Sequence, residues 1–249
     1  MSTPPLLTPG SAVFLDFDGT LAEIAPHPQA VTVPASLPTH LAALASALEG
    51  ALAIVTGRPI AEIDRFLAPL QLPAAGVHGA ERRDAQGNWQ RLPTPALDTV
   101  LDPLQALCAA HPGLLLERKS VAVALHYRLA PALEAECLAA MTLALEQLPN
   151  MALMRGKQVL ELKPRAAGKD AAVHAFLAEA PFRNRRPWFF GDDVTDEVAF
   201  EAVQARGGVA VKVGEGATRA HHRVQGPAAL RHWMQTSLQA FRAPPRPLV

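Results

Sequence analysis

Residues Ser11-Ala12-Val13-Phe14-Leu15-Asp16-Phe17-Asp18-Gly19-Thr20 run an apolar stretch straight into two carboxylates and a glycine. Short and continuous, the stretch predicts a strand over 11–16 buried on both faces, of the kind found in parallel sheets. Outward from it the chain alternates. Leu37, Leu41, Leu44, Ala45 and Leu48 recur at helical spacing across 36–49 and Gly50 stops them, so a helix is expected there. Ala51–Val55 predicts a second buried strand, and Thr56-Gly57-Arg58-Pro59 opens a helix with proline where its missing N–H costs nothing. A third strand is expected over 73–78, and Gln86-Gly87-Asn88 marks a hairpin tip within 81–92. After Pro164 come helices over 169–180 and 195–206 and strands over 188–190 and 209–213. A last helix over 227–241 sets Leu230, Trp233, Met234, Leu238 and Phe241 on one packing stripe, and a proline-rich tail starts at Ala243. Such alternation specifies an α/β fold with a parallel sheet. The middle differs: helix 95–110 with strands 114–118 and 121–128, then helix 131–148 with strands 151–154 and 158–163. That is a small α+β unit inserted in the α/β core.

A second acidic cluster, Gly191-Asp192-Asp193-Val194-Thr195-Asp196, follows the strand at 188–190. In a doubly wound sheet the carboxyl ends of parallel strands share one edge and ligands bind there, so Asp16, Asp18, Asp192, Asp193 and Asp196 are expected to converge. Alone, each cluster reads equally as an acidic turn at a strand end. Together they are costly, since two like charges ~4 Å apart repel by about 4 kcal/mol at an effective dielectric of ~20. A cation among them relieves that repulsion, and an all-oxygen set without a His or Cys cluster selects Mg²⁺ over Zn²⁺. The acid spacing and terminal Glu of an EF-hand calcium loop are absent. Thr56 adds a hydroxyl at a helix N-terminus, a natural donor to phosphate oxygens. Lys169 starts a helix, where the dipole mildly disfavours a cation; it reads either as solvated or as the partner of a carboxylate or phosphate. The intervals are 38 residues from Asp18 to Thr56, 113 on to Lys169 and 23 on to Asp192.

Asp16-Phe17-Asp18-Gly19-Thr20, Thr56, Lys169 and Gly191-Asp192-Asp193 resemble, in order, the four motifs of the haloacid dehalogenase (HAD) superfamily of phosphatases, over Val13 to about Val213. The resemblance implies a HAD-like Rossmannoid core of residues 1–93 and 166–249, with residues 94–165 as a type-2 (C2B-like) cap. It implies Asp16 as the nucleophile that forms an aspartyl-phosphate. Asp18 becomes the general acid and then the base that activates water. Asp16, the backbone carbonyl of Asp18 and Asp192 would hold Mg²⁺, with Asp193 and Asp196 supporting them from behind. Thr56 and Lys169 complete the catalytic set. Two departures stand out: Lys169 is followed by Asp170 where the pattern usually has Gly, and Val77 stands where Asn is common.

The insert is similar to the cap of trehalose-6-phosphate phosphatases through Glu117-Arg118-Lys119, His126-Tyr127-Arg128 and Gly156–Pro164. Gly76-Val77-His78-Gly79-Ala80-Glu81 and Gly191–Glu197 match that family too. The resemblance implies that Glu117, Lys119 and Glu161 hold the distal glucose, buried charged groups being able to reject analogues that lack hydroxyls. Without it the three read as exposed ion-pair groups. His78, Glu81, Arg58 and Arg128 join them as candidate substrate contacts, Arg58 and Arg128 with a structural role equally open. Cap closure is expected, with hinges near Leu92–Pro95 and Lys163–Ala167. Related readings are a phosphatase of sucrose 6-phosphate or a mannosyl phosphate, and a non-catalytic module that binds sugar phosphate. Functional coupling to a trehalose-6-phosphate synthase is a further expectation.

Composition bounds the rest. The chain has 249 residues, 23 basic and 23 acidic, a balance that argues against a nucleic-acid partner. Aromatics are 5% of the chain, so an aliphatic core is expected. Cys108 and Cys137 lie outside any CxxC pair and suit a reducing cytoplasm. The first residues lack a basic stretch and carry prolines at 4, 5 and 9, so no signal peptide is expected; prolines at 26, 28, 34 and 38 break the uncharged stretch 24–48, so no membrane span is expected either.

Overall fold

The computed structural model describes residues 2–93 and 96–242. In chain order it forms β1 (Ser11–Leu15), α1 (Leu37–Ala47), β2 (Leu52–Val55), α2 (Ile60–Leu67), β3 (Ala74–Gly76), β4 (Glu81–Arg83) and β5 (Trp89–Arg91). Next come α3 (Asp98–Ala110), β6 (Leu115–Arg118), β7 (Val123–His126), α4 (Glu134–Glu146), β8 (Met151–Gly156) and β9 (Val159–Pro164). The chain ends with α5 (Lys169–Leu177), β10 (Arg186–Gly191), α6 (Glu197–Gln204), β11 (Val209–Val213), β12 (His222–Val224) and α7 (Pro227–Arg242). Thr94, Pro95 and the tail from Ala243 lie outside the described residues, and with them part of the first expected hinge.

One sheet has the order β12-β11-β10-β1-β2-β3-β4-β5, parallel from β12 to β3 and antiparallel in the β4–β5 hairpin at its edge. This α/β architecture is the expected one. The short β12 carries no apolar run in the sequence and was not foreseen. Central β1 is apolar on both faces because helices cover both. Its Phe14 meets Phe176 of α5 and Phe182 on one side, while Trp233 of α7 packs on Trp188 and Phe190. The core is mostly aliphatic, as expected, and the few aromatics are gathered onto and around the central strands, where each buries the most area. Register decides where the chemistry goes. Leu15 lies opposite Phe190 and Ile54, so the chain leaves β1, β10 and β2 at one edge carrying Asp16, Asp192 and Thr56.

A second, antiparallel sheet has the order β6-β7-β9-β8. Val123, Leu125, Leu160 and Leu162 pack with α3 and α4 through Leu104, Cys137 and Met141. Alternation sends the intervening residues to the other face, so Glu117, Ala124, Glu161 and Met154 form one row across the four strands. Among the described residues no helix is long and apolar enough to cross a membrane.

Candidate active site

Asp16 leaves β1 with its backbone N–H bonded to Phe190 O at 2.9 Å. Lys169, the first residue of α5, is buried, and its ammonium lies 2.8 Å from Asp16 Oδ1 and 2.6 Å from Asp196 Oδ1. The solvated reading of Lys169 is thereby excluded. Asp196 accepts the Asp193 N–H at 3.0 Å, closing a capping box over the turn into α6. Asp16, Asp192 and Asp196 each offer a carboxylate oxygen within 4.8 Å of the others. Lys212 donates to the backbone carbonyl of Asp192 and so fixes that loop. Gly19 is required here, because its φ is 75° and a Cβ would lie 2.1 Å from Asp192 Oδ2.

Three carboxylates around one ammonium leave the cluster short of positive charge. Burial pushes the Asp16 carboxyl well above the usual range; Lys169 opposes the shift, while Asp196 and Asp192 add to it. Asp192 is pushed up to about 7 by burial and then by Asp196. Lys169 is held protonated: burial acts to lower its value, but Asp16 and Asp196 outweigh it.

Asp18 meets Arg58, which donates from Nε to Oδ2 at 2.6 Å and from Nη2 to Oδ1 at 2.9 Å. The same guanidinium reaches Glu62 at 2.6 Å and Pro28 O at 2.9 Å. Arg58 thus ties Asp18 to α2 and to the segment over the cleft, a bidentate role that lysine would not fill. Thr56 is buried between these groups, and its Oγ1 accepts the Arg58 N–H at 3.2 Å.

The second sheet supplies the opposite wall. Lys119 lies 2.5 Å from Glu161 Oε2 and donates to Gly57 O at 2.9 Å, so it touches both sheets' sides of the cleft. Burial alone would push the Glu161 carboxyl up, but Lys119 and then His78 outweigh it and hold it at about 2. Glu117 bonds His126 Nε2 at 2.7 Å. Arg128 donates to Lys157 O at 3.1 Å, bracing the β8–β9 turn. Asp16, Asp18, Thr56, Arg58, His78, Glu117, Lys119, Arg128, Glu161, Lys169, Asp192 and Asp193 all border one cleft.

Glu81 does not reach it. Its Oε1 caps α2 by accepting the Ile60 N–H at 2.7 Å, and its Oε2 faces Ser120 and Arg91. The residue match alone could not separate a ligand contact from a buried cap. Sequence reasoning quoted His126 only within a cap motif, without a role, and missed Met154; both also line the cleft. The period-2 alternation of β7 and β8 was legible, but which face of each strand turns inward depends on register.

An α/β phosphatase core of the HAD type with an inserted α+β unit is what this fold and edge define. A phosphatase of the haloalkanoate (HAD) enzyme superfamily from Bacteroides thetaiotaomicron shares the fold at a TM-score of 0.60, with 14% identity, 92% of this chain and 94% of that one covered. Closer in sequence, a trehalose-6-phosphate phosphatase related protein of known crystal structure superposes at a TM-score of 0.74, with 28% identity, 92% of this chain and 97% of that one covered. The trehalose-6-phosphate phosphatase of Escherichia coli (strain K12) is 45% identical over 97% of this chain and 93% of its own. The family model described as trehalose-phosphatase matches residues 14–231, and the chain belongs to the trehalose-phosphatase family.

Proposed function

We propose that this chain is a Mg²⁺-dependent phosphomonoesterase that hydrolyses trehalose 6-phosphate to trehalose and phosphate. The observation that carries the reading is the pairing of two unlike walls: Asp16, on Lys169, faces a row of charged groups from the inserted sheet. One wall suits phosphate chemistry and the other suits hydroxyl recognition. Residues 94–165 act as the cap. The cleft volume is about 180 Å³, below the ~300–1,000 Å³ of ligand pockets, so the cap opens to admit a disaccharide. Leu92–Pro95 and Lys163–Ala167 serve as the hinges, residues 94 and 95 lying outside the described ones.

Mg²⁺ suits the edge, where the donors are all oxygens and the carboxyls of Asp16 and Asp192 are pushed up by burial and further by the carboxylates beside them. Asp16, Asp192 and the backbone carbonyl of Asp18 would hold it. Asp196, already bound to Lys169 and to the Asp193 N–H, supports from behind. When bound, the ion supplies charge neutralisation for phosphate beside a carboxylate.

The chain's own residues do the rest. Asp16 attacks phosphorus, the bond from phosphorus to the sugar oxygen breaks, and Asp18 gives its proton to that oxygen. Water then attacks the aspartyl-phosphate, Asp18 takes its proton, and the bond from phosphorus to Asp16 breaks. Lys169 holds Asp16 in place, and Thr56 donates to a phosphate oxygen. Arg58 occupies both oxygens of Asp18 here, so one of them must leave the guanidinium before proton transfer. Glu117, Lys119, Glu161, His78 and Arg128 bind the sugar. We place the enzyme in the cytoplasm, where Cys108 and Cys137 stay as free thiols, downstream of a synthase that makes its substrate.

Purified protein should release phosphate from trehalose 6-phosphate with Mg²⁺, and EDTA should stop it. Preference for glucose 6-phosphate would refute the specificity while sparing the phosphatase.

A further inference from the structure

Arg58 ends the Thr56-Gly57-Arg58 loop that leaves β2, and the backbone of that loop is pinned. The Arg58 N–H donates to Thr56 Oγ1 at 3.2 Å, and the Arg58 carbonyl accepts the Val77 N–H at 3.0 Å. Gly57 O accepts from Lys119 of the inserted sheet at 2.9 Å. The guanidinium is fixed as firmly as the backbone. Nη1 donates to Glu62, in the first turn of α2, at 2.6 Å, and Nη2 to Pro28 O at 2.9 Å. Phe66, one turn further along α2, carries the guanidinium on its ring at 5.2 Å and stacks in turn on Phe17, the residue between Asp16 and Asp18. Only 8% of the Arg58 side chain is exposed, so these holds are not loosened by solvent.

A side chain braced on three sides presents its remaining edge to one group. Nε and Nη2 take the two oxygens of Asp18 at 2.6 Å and 2.9 Å, and among the described residues Asp18 makes no other side-chain hydrogen bond. The Asp18 side chain is 35% exposed where it borders the cleft, so the guanidinium is what fixes its rotamer. A group that moves a proton must lie within hydrogen-bond reach of it, which makes that rotamer decisive. The fork holds at two points, so one oxygen can be let go while the other stays held. Lysine, a single point charge on a flexible stem, has no second hold.

We propose that Arg58 is a positioning residue for Asp18, freeing one carboxylate oxygen for the reacting atoms while the other stays on the guanidinium, in both halves of the reaction. In the first half the freed oxygen carries the proton given to the sugar oxygen as its bond to phosphorus breaks. In the second it takes a proton from the water that attacks phosphorus as the bond to Asp16 breaks. Arg58 acts through Asp18 and holds no reacting atom itself. Because Thr56 belongs to the same pinned loop, the donor to phosphate and the aim of Asp18 are set together. The inference rests on the phosphatase reading above and not on the choice of sugar.

The test compares wild type, Arg58→Met, Arg58→Lys and Glu62→Gln on trehalose 6-phosphate and on p-nitrophenyl phosphate, with thermal melts. A sugar alkoxide needs a proton to leave, whereas nitrophenolate leaves without one, so the second substrate needs Asp18 only for the attack of water. With trehalose 6-phosphate, kcat should fall about 10²-fold in both Arg58 variants while KM changes little. With p-nitrophenyl phosphate, single-turnover release of nitrophenolate should stay within about 3-fold of wild type while steady-state turnover falls about 10²-fold. Glu62→Gln keeps the fork and loosens its anchor, so it should give the same pattern at about 3–10-fold, and it carries the test if the Arg58 variants fail to fold. Full activity in Arg58→Lys overturns the proposal, because charge alone would then suffice. So does a single-turnover loss on p-nitrophenyl phosphate as large as the loss on the sugar phosphate, or a loss confined to KM, which would make Arg58 a substrate contact. If wild type releases phosphate from neither substrate, the phosphatase reading itself fails and the proposal falls with it.

Discussion

The two walls of the cleft solve the same electrostatic problem in opposite ways. At the sheet edge, Lys169 is shared by Asp16 and Asp196 with Asp192 alongside, and burial prevails, so Asp16 and Asp192 are pushed up. On the cap, Lys119 sits on Glu161 and its charge prevails over burial, so Glu161 is held down. On the reading proposed above, an edge short of positive charge is suited to a cation and, through that cation and Lys169, to a phosphate. A balanced wall has no such need and offers fixed donors and acceptors to neutral hydroxyls. Under the proposed function, charge deficit is what would separate the place of chemistry from the place of recognition.

The contrast breaks most visibly at Asp16. Asp16→Asn should lower kcat by at least about 10³-fold in phosphate release while the melting temperature holds or rises, because an excess buried charge is removed. Lys169→Met should cost about 10²–10³-fold in kcat and also destabilise, since it strands two buried carboxylates; a calorimetric melt with unchanged stability would contradict the pairing.

Acid titration sharpens the comparison because the walls carry opposite signs. Glu161 falls from 4.5 to about 2 on folding, so its stabilisation is present above pH 4.5 and is lost as pH falls through about 2, amounting to about 3 kcal/mol at most. Asp192 rises from 3.8 to about 7, so its stabilisation is present below pH 3.8 and is lost as pH rises through about 7. Urea unfolding across this range should show Glu161→Gln flattening the acid limb only and Asp192→Asn the neutral limb only. The smallest effect is on recognition: Lys119→Met should raise KM for the sugar phosphate about 10–100-fold with a lesser change in kcat.

Much of the edge was legible in the sequence. An apolar strand running into Asp16 and another into Asp192 place both acids at one edge once the sheet is parallel, whereas Lys169 at a helix start left solvent and an acidic partner equally open until packing chose the latter. The cap was less so. Alternation along β6 and β9 puts Glu117 and Glu161 on one face of their strands, but pairing across Ala124 sets them in one row, and that depends on register. The grip of Arg58 on Asp18 spans 40 residues and has no local signature. Glu81 matched a family pattern yet serves as a helix cap, since only packing distinguishes a carboxylate facing a backbone N–H from one facing a ligand.

The division of labour is tested most directly by initial rates of phosphate release from trehalose 6-phosphate and glucose 6-phosphate, each with Mg²⁺ and with EDTA. Both substrates should need Mg²⁺, and trehalose 6-phosphate should be strongly preferred through KM. Equal use of the two sugars, or turnover that survives EDTA, would contradict it.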